Sequence, residues 1–213
     1  MYVKDIMTTN VVTVPSSTSI ADAKRIMKAH RCRRLPVVDK GKLVGIVTEN
    51  RLEQVSPSKA TSLTVWEVGY LMEKTTLKEI MEKHVITVDA MMTVEEGLAI
   101  AQNNKVGAVV VVTEGRVDGI VTTNDFFYKI ANKILGIGES GVRIEVTDGG
   151  EGPALEEIIS AVNRHKMRII TLHVIAPPDK EKKDVVVHIE SDDTEKLVEE
   201  LRGKGYTVSV RKR

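Results

Sequence analysis

A chain of 213 residues, 42% hydrophobic and 29% charged, is long enough to bury a sizeable core as one or two domains. Its formal net charge of +1 gives no overall pull toward nucleic acid or membrane, and no apolar run approaches the ~20 residues that span a bilayer. The single cysteine, Cys32, excludes an intramolecular disulfide, and with no signal-peptide apolar core after Met1 this predicts the cytoplasm.

The first elements of the chain recur. Ile6-Met7 returns as Ile80-Met81, Thr13-Val14 as Thr87-Val88, and Pro36-Val37-Val38 as Val110-Val111-Val112. Gly45-Ile46-Val47-Thr48 returns as Gly119-Ile120-Val121-Thr122, always at an offset of 74 residues. A repeat this long fixes the architecture before any local pattern does. In the first copy Ser19 with Asp22 opens a capped amphipathic helix carrying Ile20, Ala23 and Met27. Thr93 with Glu96 opens its counterpart, carrying Val94, Leu98 and Ala101. Two strands joined by a glycine turn follow, over 35–38 and 42–47, then again over 108–112 and 116–121. A second helix starts after Thr48 or Thr122. One such unit leaves a sheet face uncovered, so the two copies are expected to bury that face together.

Between the copies, Ser56-Pro57-Ser58 interrupts the pattern and the chain then turns helical. Leu63, Trp66, Val68, Tyr70, Leu71 and Met72 carry more apolar surface than a solvated linker needs, which predicts a connecting helix packed on the domain. After the second copy, the glycines at 136, 138 and 141 read as a hinge. Beyond it come a strand over 142–147, a helix over 153–165 and a strand over 168–175. A polar loop over 176–183, a strand over 185–190, a helix over 194–204 and a strand over 207–210 complete the chain. The order βαββαβ is the ferredoxin-like topology, with two helices on one face of a four-stranded sheet.

The recurring motifs, Asp5-Ile6-Met7-Thr8, Val11-Val12-Thr13-Val14, Arg34-Leu35-Pro36-Val37-Val38-Asp39 and Gly45-Ile46-Val47-Thr48 with their partners 74 residues on, resemble the cystathionine-β-synthase (CBS) domain as a tandem pair. The last third resembles an ACT domain, although Asp148-Gly149-Gly150-Glu151-Gly152-Pro153 stands where that family usually carries Pro-Gly. The inter-repeat segment 56–63, with Val65-Trp66-Glu67, is similar to that of the acetoin-utilisation B-type proteins, which join a CBS pair to an ACT domain. The expected fold is therefore α+β. It comprises a CBS repeat over 1–55, a linker helix over 56–76, a second CBS repeat over 77–135, a hinge over 136–141 and an ACT-like domain over 142–213.

Thr122 and Asp125 have two compatible readings. Thr-x-x-Asp at a strand-to-helix turn is a helix N-cap with an acid in the first turn. The CBS family's ribose-and-phosphate motif is Gly-h-x-Ser/Thr-x-x-Asp/Asn, and the resemblance puts Gly119, Thr122 and Asp125 in it. A carboxylate can accept from both vicinal ribose hydroxyls, and the free N–H groups of a helix start suit phosphate. In the first copy Thr48 remains but Arg51 replaces the acid. That cleft has lost its nucleotide, or Arg51 contacts phosphate, or Arg51 is a surface residue. Arg31, Arg33 and Arg34 form a basic cluster that ordinarily marks a solvated run. The resemblance places Arg34 at the phosphate-neutralising position of the central cleft. It places Thr13 and Thr87 on the strands whose backbone reads adenine, where they are also ordinary strand formers.

Gly149, Gly150 and Gly152 open a helix and form either a turn or an anion site for an ACT effector. His173 and His188 are able to face each other on neighbouring strands, but the five histidines lack metal-ligand spacing. No catalytic residues, cofactor or metal are expected. The resemblance implies a regulatory homodimer that binds AMP, ADP, ATP or S-adenosylmethionine, with an ACT-like domain that dimerises or senses an amino acid. The alternatives are a structural dimerisation module, or an accessory to acetoin-metabolising enzymes. A nucleic-acid partner, suggested by the Arg31–Arg34 cluster and Arg211-Lys212-Arg213, is disfavoured by neutral charge and only 3% aromatic residues.

Overall fold

The computed structural model describes residues 1–56, 62–178 and 180–212. Pro57 and Ser58 of the expected break, residues 59–61 of the inter-repeat segment, and Arg213 of the terminal basic cluster lie outside the described residues. The chain divides into two compact units, Met1–Phe127 and Tyr128–Arg213. No helix among the described residues is long and apolar enough to cross a membrane.

In the first unit the repeat is visible bond by bond. Helix α1 (Ile20–His30) starts where the Ser19 side chain accepts from the Asp22 amide, and buries Ile20, Ala23 and Met27. Strands β1 (Arg34–Asp39) and β2 (Lys42–Thr48) form an antiparallel hairpin with a bulge between Val37 and Val38. Helix α2 (Glu49–Gln54) follows, capped by Thr48. After α3 (Val65–Lys74) and α4 (Leu77–Ile80) the pattern returns as β3 (Thr87–Val88), α5 (Val94–Asn103), β4 (Ala108–Thr113) and β5 (Arg116–Thr122). The second hairpin carries its bulge at the same place, between Val111 and Val112. The last helix differs: α6 (Thr123–Asp125) passes into a π-helical stretch, Phe126–Ala131, which runs past the end of the first unit, and α7 (Asn132–Leu135) belongs to the second unit.

The two repeats interlock by exchanging their leading segments. Thr8 and Ile120 swap backbone hydrogen bonds of 2.9 and 3.1 Å; Glu82 and Ile46 do the same at 2.9 Å each. Thus each repeat's first residues complete the other repeat's hairpin. Leu77 and Ile80 accordingly sit in the core of the first repeat with Leu35, Val37, Val47 and Leu52. The glycine of each Gly-h-h-Thr motif makes this exchange possible. A Cβ on Gly45 would stand 2.5 Å from the Met81 sulfur, and one on Gly119 would stand 2.6 Å from the Met7 sulfur.

Helix α3 packs against α1 along one side but leaves much of its apolar surface open. Met72 touches the first repeat's core and Glu73 pairs with Arg25 at 2.6 Å. Yet no residue of the helix is buried, and Trp66 is 88% exposed. With Val65, Tyr70 and Leu71, it faces away from the domain that the apolar pattern was expected to cover.

The second unit adds β6 (Val142–Val146), α8 (Gly152–Arg164), β7 (Ile169–Ile175), β8 (Asp184–Ile189), α9 (Glu195–Gly203) and β9 (Val208–Lys212). The sheet is antiparallel in the order β7-β8-β6-β9, the ferredoxin-like arrangement. Ile158, Ala161 and Val162 of α8 and Leu197, Val198 and Leu201 of α9 pack on alternate residues of β6 and β8. An ion network ties the helices together: Glu200 accepts from Arg164 at 2.5 Å and lies 2.8 Å from His165 Nε2. On the other face, register puts His188 opposite Thr171 and His173 opposite Val186, so the two histidines are not directly opposed.

Candidate functional site

Strand β5 ends at Thr122, whose backbone is still extended, and the chain turns into α6 at once. The Asp125 amide donates to Thr122 Oγ1 at 3.4 Å. In return, Asp125 Oδ2 accepts from the Thr122 amide at 2.9 Å and from its hydroxyl at 2.7 Å. This reciprocal pair is a capping box, so the fold already uses the first of the two roles expected for these residues. Gly119 has its own packing reason, the sulfur of Met7 described above.

In the first repeat Thr48 Oγ1 accepts from the Arg51 amide at 3.2 Å. No reciprocal carboxylate is available. Instead Arg51 Nε reaches across to the second repeat's leading segment and donates to the Ile80 carbonyl at 3.1 Å. Arg51 is exposed, and its guanidinium helps hold the exchanged segment. Arg51 also lines a cavity of about 390 Å³ with Thr48, Asn50, Gln54, Met81 and Glu82.

Arg34 occupies the start of β1, and its side chain runs toward the second repeat. A Cβ on Gly107 would stand 2.7 Å from Arg34 Nη2, so the missing side chain at 107 makes room for the guanidinium. Gly107 is the counterpart of Arg33, and Ala108 the counterpart of Arg34. The second copy has therefore given up both cations where the first copy projects. Arg33, Arg34, Thr48, Glu49 and Asn50 line a cavity of about 330 Å³ with Thr123 and Asn124. Burial, and then the charge of Arg33, push the Arg34 guanidinium below its ordinary pKa. Among the described residues no carboxylate pairs with it. A half-buried cation disfavoured in this way is stabilised by an incoming anion.

The structure therefore brings Arg34 and Thr48 together with the residues that separate Thr122 from Asp125. Thr48 and Asn50 line both cavities, joining Arg51 to the same region. Sequence reasoning passed over Asn50 and Asn124, although the repeat itself marks them: both stand two residues after the motif threonine, 74 residues apart. Thr13 and Thr87 lie apart from this group as exposed residues, each preceding an inward valine, Val14 or Val88.

The glycine loop of the second unit is closed by its own packing. A Cβ on Gly149 would meet Ile158 Cδ1 at 2.6 Å, and one on Gly150 would meet Lys183 Cβ at 2.7 Å. The amides of Asp148, Gly149 and Gly150 already donate, to Asp184 Oδ1, the Val146 carbonyl and the Lys183 carbonyl. Gly152 has a positive φ of 51° and opens α8.

Residues 3–55 and 77–132 match the family model of the CBS domain, just over half of the chain. The crystal structure of the CBS domain pair of protein MJ0100, in complex with methylthioadenosine and S-adenosylmethionine, is 31% identical with a TM-score of 0.52. That match covers 62% of this chain and 98% of the other. An acetoin utilisation protein (AcuB) from Vibrio cholerae is 30% identical with a TM-score of 0.53, over 64% of this chain and 94% of the other. The inosine-5'-monophosphate dehydrogenase of Korarchaeum cryptofilum is 33% identical over 133 residues, which is 62% of this chain but only 25% of that enzyme.

Proposed function

This chain belongs to the CBS-domain family, and from that premise we propose that its paired repeats are a regulatory sensor for an adenosyl ligand with an anionic end. The observation that carries the reading is Arg34, a half-buried cation with no carboxylate partner, at the wall of a cavity that both repeats line. Its counterpart position is Ala108, so the site is asymmetric and one ligand per chain is the expected stoichiometry. Gly119, Thr122 and Asp125 supply the helix start beside that cavity, with the Asp125 carboxylate as acceptor for ribose hydroxyls. Thr87 on β3, and Thr13 beside the isolated bridge of Val14 to Val37, would offer backbone groups to adenine. AMP, ADP, ATP and S-adenosylmethionine all carry the required phosphate or carboxylate, and the adenosyl ligands of the MJ0100 pair favour this class.

The exchanged leading segments explain how occupancy would be read out. Arg51 is bonded to the Ile80 carbonyl, and Met7 and Met81 are keyed into the opposite repeat's glycines. A ligand touching both repeats favours whichever relative arrangement it contacts better. The chain acts by this shift and not by catalysis, as a homodimer without nucleic acid or membrane partners.

The C-terminal unit is read as an ACT-type domain. Because the Asp148–Gly150 amides are already engaged, dimerisation is favoured over an amino-acid effector at Gly149, Gly150 and Gly152. Isothermal titration with AMP, ADP, ATP and S-adenosylmethionine tests the sensor reading. Saturable binding near one ligand per chain, weakened by Asp125→Ala, supports it; no binding by any of the four overturns it.

A further inference from the structure

A third cavity, of about 490 Å³, lies between α1 and α2 of the first repeat. Lys24, Met27, Lys28 and Arg31 follow the i, i+3, i+4, i+7 spacing of one helical face, and Glu49, Leu52 and Glu53 present a matching face of α2. Cys32 and Arg33 close the end between them. Met27 and Leu52 are buried, so the floor is apolar while the rim holds four cations and two carboxylates.

The rim charges are not consumed by the fold. Arg25, on the same helix, pairs with Asp22 and Glu73. Lys24 Nζ donates to Ser56 Oγ at 2.6 Å. Among the described residues, Lys28, Arg31 and Arg33 make no ion pair, and neither do Glu49 and Glu53. The second repeat offers a comparison with the same first helix and hairpin, although its second helix passes into a π-helical stretch. At the six charged positions it carries Leu98, Gln102, Lys105, Gly107, Thr123 and Phe127, so only Lys105 keeps a charge. The second repeat thus forms with one of these six charges, so its pattern does not account for the other five that the first repeat carries.

We propose that this pocket binds a small phosphate monoester with a short apolar body, at a site that adjoins the cavity that Arg34 lines and shares Arg33 and Glu49 with it. The cations exceed the carboxylates by two, which matches a dianionic phosphate. The apolar body would lie on Met27, Leu52 and Cys32. A cavity of this volume is within the ordinary range for small-molecule sites. The inference does not depend on the adenosyl reading.

Cys32 is the only thiol of the chain and part of the pocket wall, so its alkylation rate reports occupancy directly. The probe is hexyl phosphate, with inorganic phosphate and hexanol as the charge-only and apolar-only arms. Hexyl phosphate should slow alkylation of the full chain saturably, about threefold at twice its dissociation constant, and each partial probe should do much less. The double variant Lys28→Ala/Arg31→Ala should lose the protection while its S-adenosylmethionine titration stays unchanged, since neither residue lines the central cavity. Where burial leaves the thiol too slow to time, the ¹³C-methyl shift of Met27 gives the same readout. Unchanged alkylation and an unchanged Met27 shift at saturating probe would overturn the proposal, as would equal protection of the double variant.

Discussion

Replacing Gly119 with alanine tests the interlock between the repeats. Gly119 has no positive φ, so alanine adopts its backbone without strain, and only the surroundings decide the outcome. The new Cβ would stand 2.6 Å from Met7 Sδ, 2.9 Å from its Cγ and 3.1 Å from its Cβ. A flexible side chain's end can move away, but the approach to the Met7 Cβ cannot be relieved by a rotamer change. Overpacking of this kind costs about 1–3 kcal/mol. Losing glycine's freedom in the unfolded chain offsets about 0.4–1 kcal/mol. With the middles of those ranges, about 2 and about 0.7 kcal/mol, the net destabilisation of the first unit should be about 1.3 kcal/mol. Met7→Ala removes the sulfur and Cγ but keeps Cβ, so the double variant should recover part of the loss, with a coupling of opposite sign. Urea titration read by pulsed labelling of Cys32, which lies in this unit, follows the relevant transition. A stability unchanged to within about 0.5 kcal/mol, or additive single effects, would refute the exchange of leading segments.

Two further outcomes follow from single residues. Gly69 sits in α3 with nothing within 4 Å of where an alanine Cβ would stand, so Gly69→Ala should raise helix stability by up to about 1 kcal/mol. A loss of stability or a change of oligomeric state on sedimentation would instead mean that another surface covers this face. In the C-terminal unit Arg164, followed by His165 and Lys204, holds the Glu200 carboxyl at about 2 instead of 4.5. A depressed carboxyl stabilises the fold above its unfolded pKa, and that contribution is lost as pH falls from about 4.5 toward 2. Glu200→Gln should flatten this acid limb in urea titrations followed by circular dichroism; an unaltered limb would show that the network contributes nothing.

Local patterns carried much of the architecture. Ser19, Thr93 and Thr122 cap the helices they were expected to open, because a cap needs only its own chain and the next three residues. The hairpins follow equally from alternating apolar residues and a glycine turn. Properties set by distant partners were harder to read. Nothing local in Ile6-Met7 says that it completes the other repeat, although the paired recurrence of Met7 with Gly119 and Met81 with Gly45 is the trace of that exchange. The apolar residues of α3 were legible, but not their direction, since periodicity gives a face and not what it faces. Arg34 was placed by its motif, whereas its dependence on Gly107 needed the fold. The Gly149–Gly150 loop looked open in sequence because a turn packed into a core and an anion cradle use the same residues.

The central claim is that Arg34 meets the anionic end of an adenosyl ligand. The most direct test compares AMP with adenosine, on the wild type and on Arg34→Ala, by isothermal titration. A charge-assisted hydrogen bond contributes about 1.5–3 kcal/mol, so wild type should prefer AMP by roughly 10- to 100-fold. In Arg34→Ala that preference should collapse while adenosine binding changes little. An AMP preference of the same size in the variant would contradict the account and move the anion to another cation of the pair.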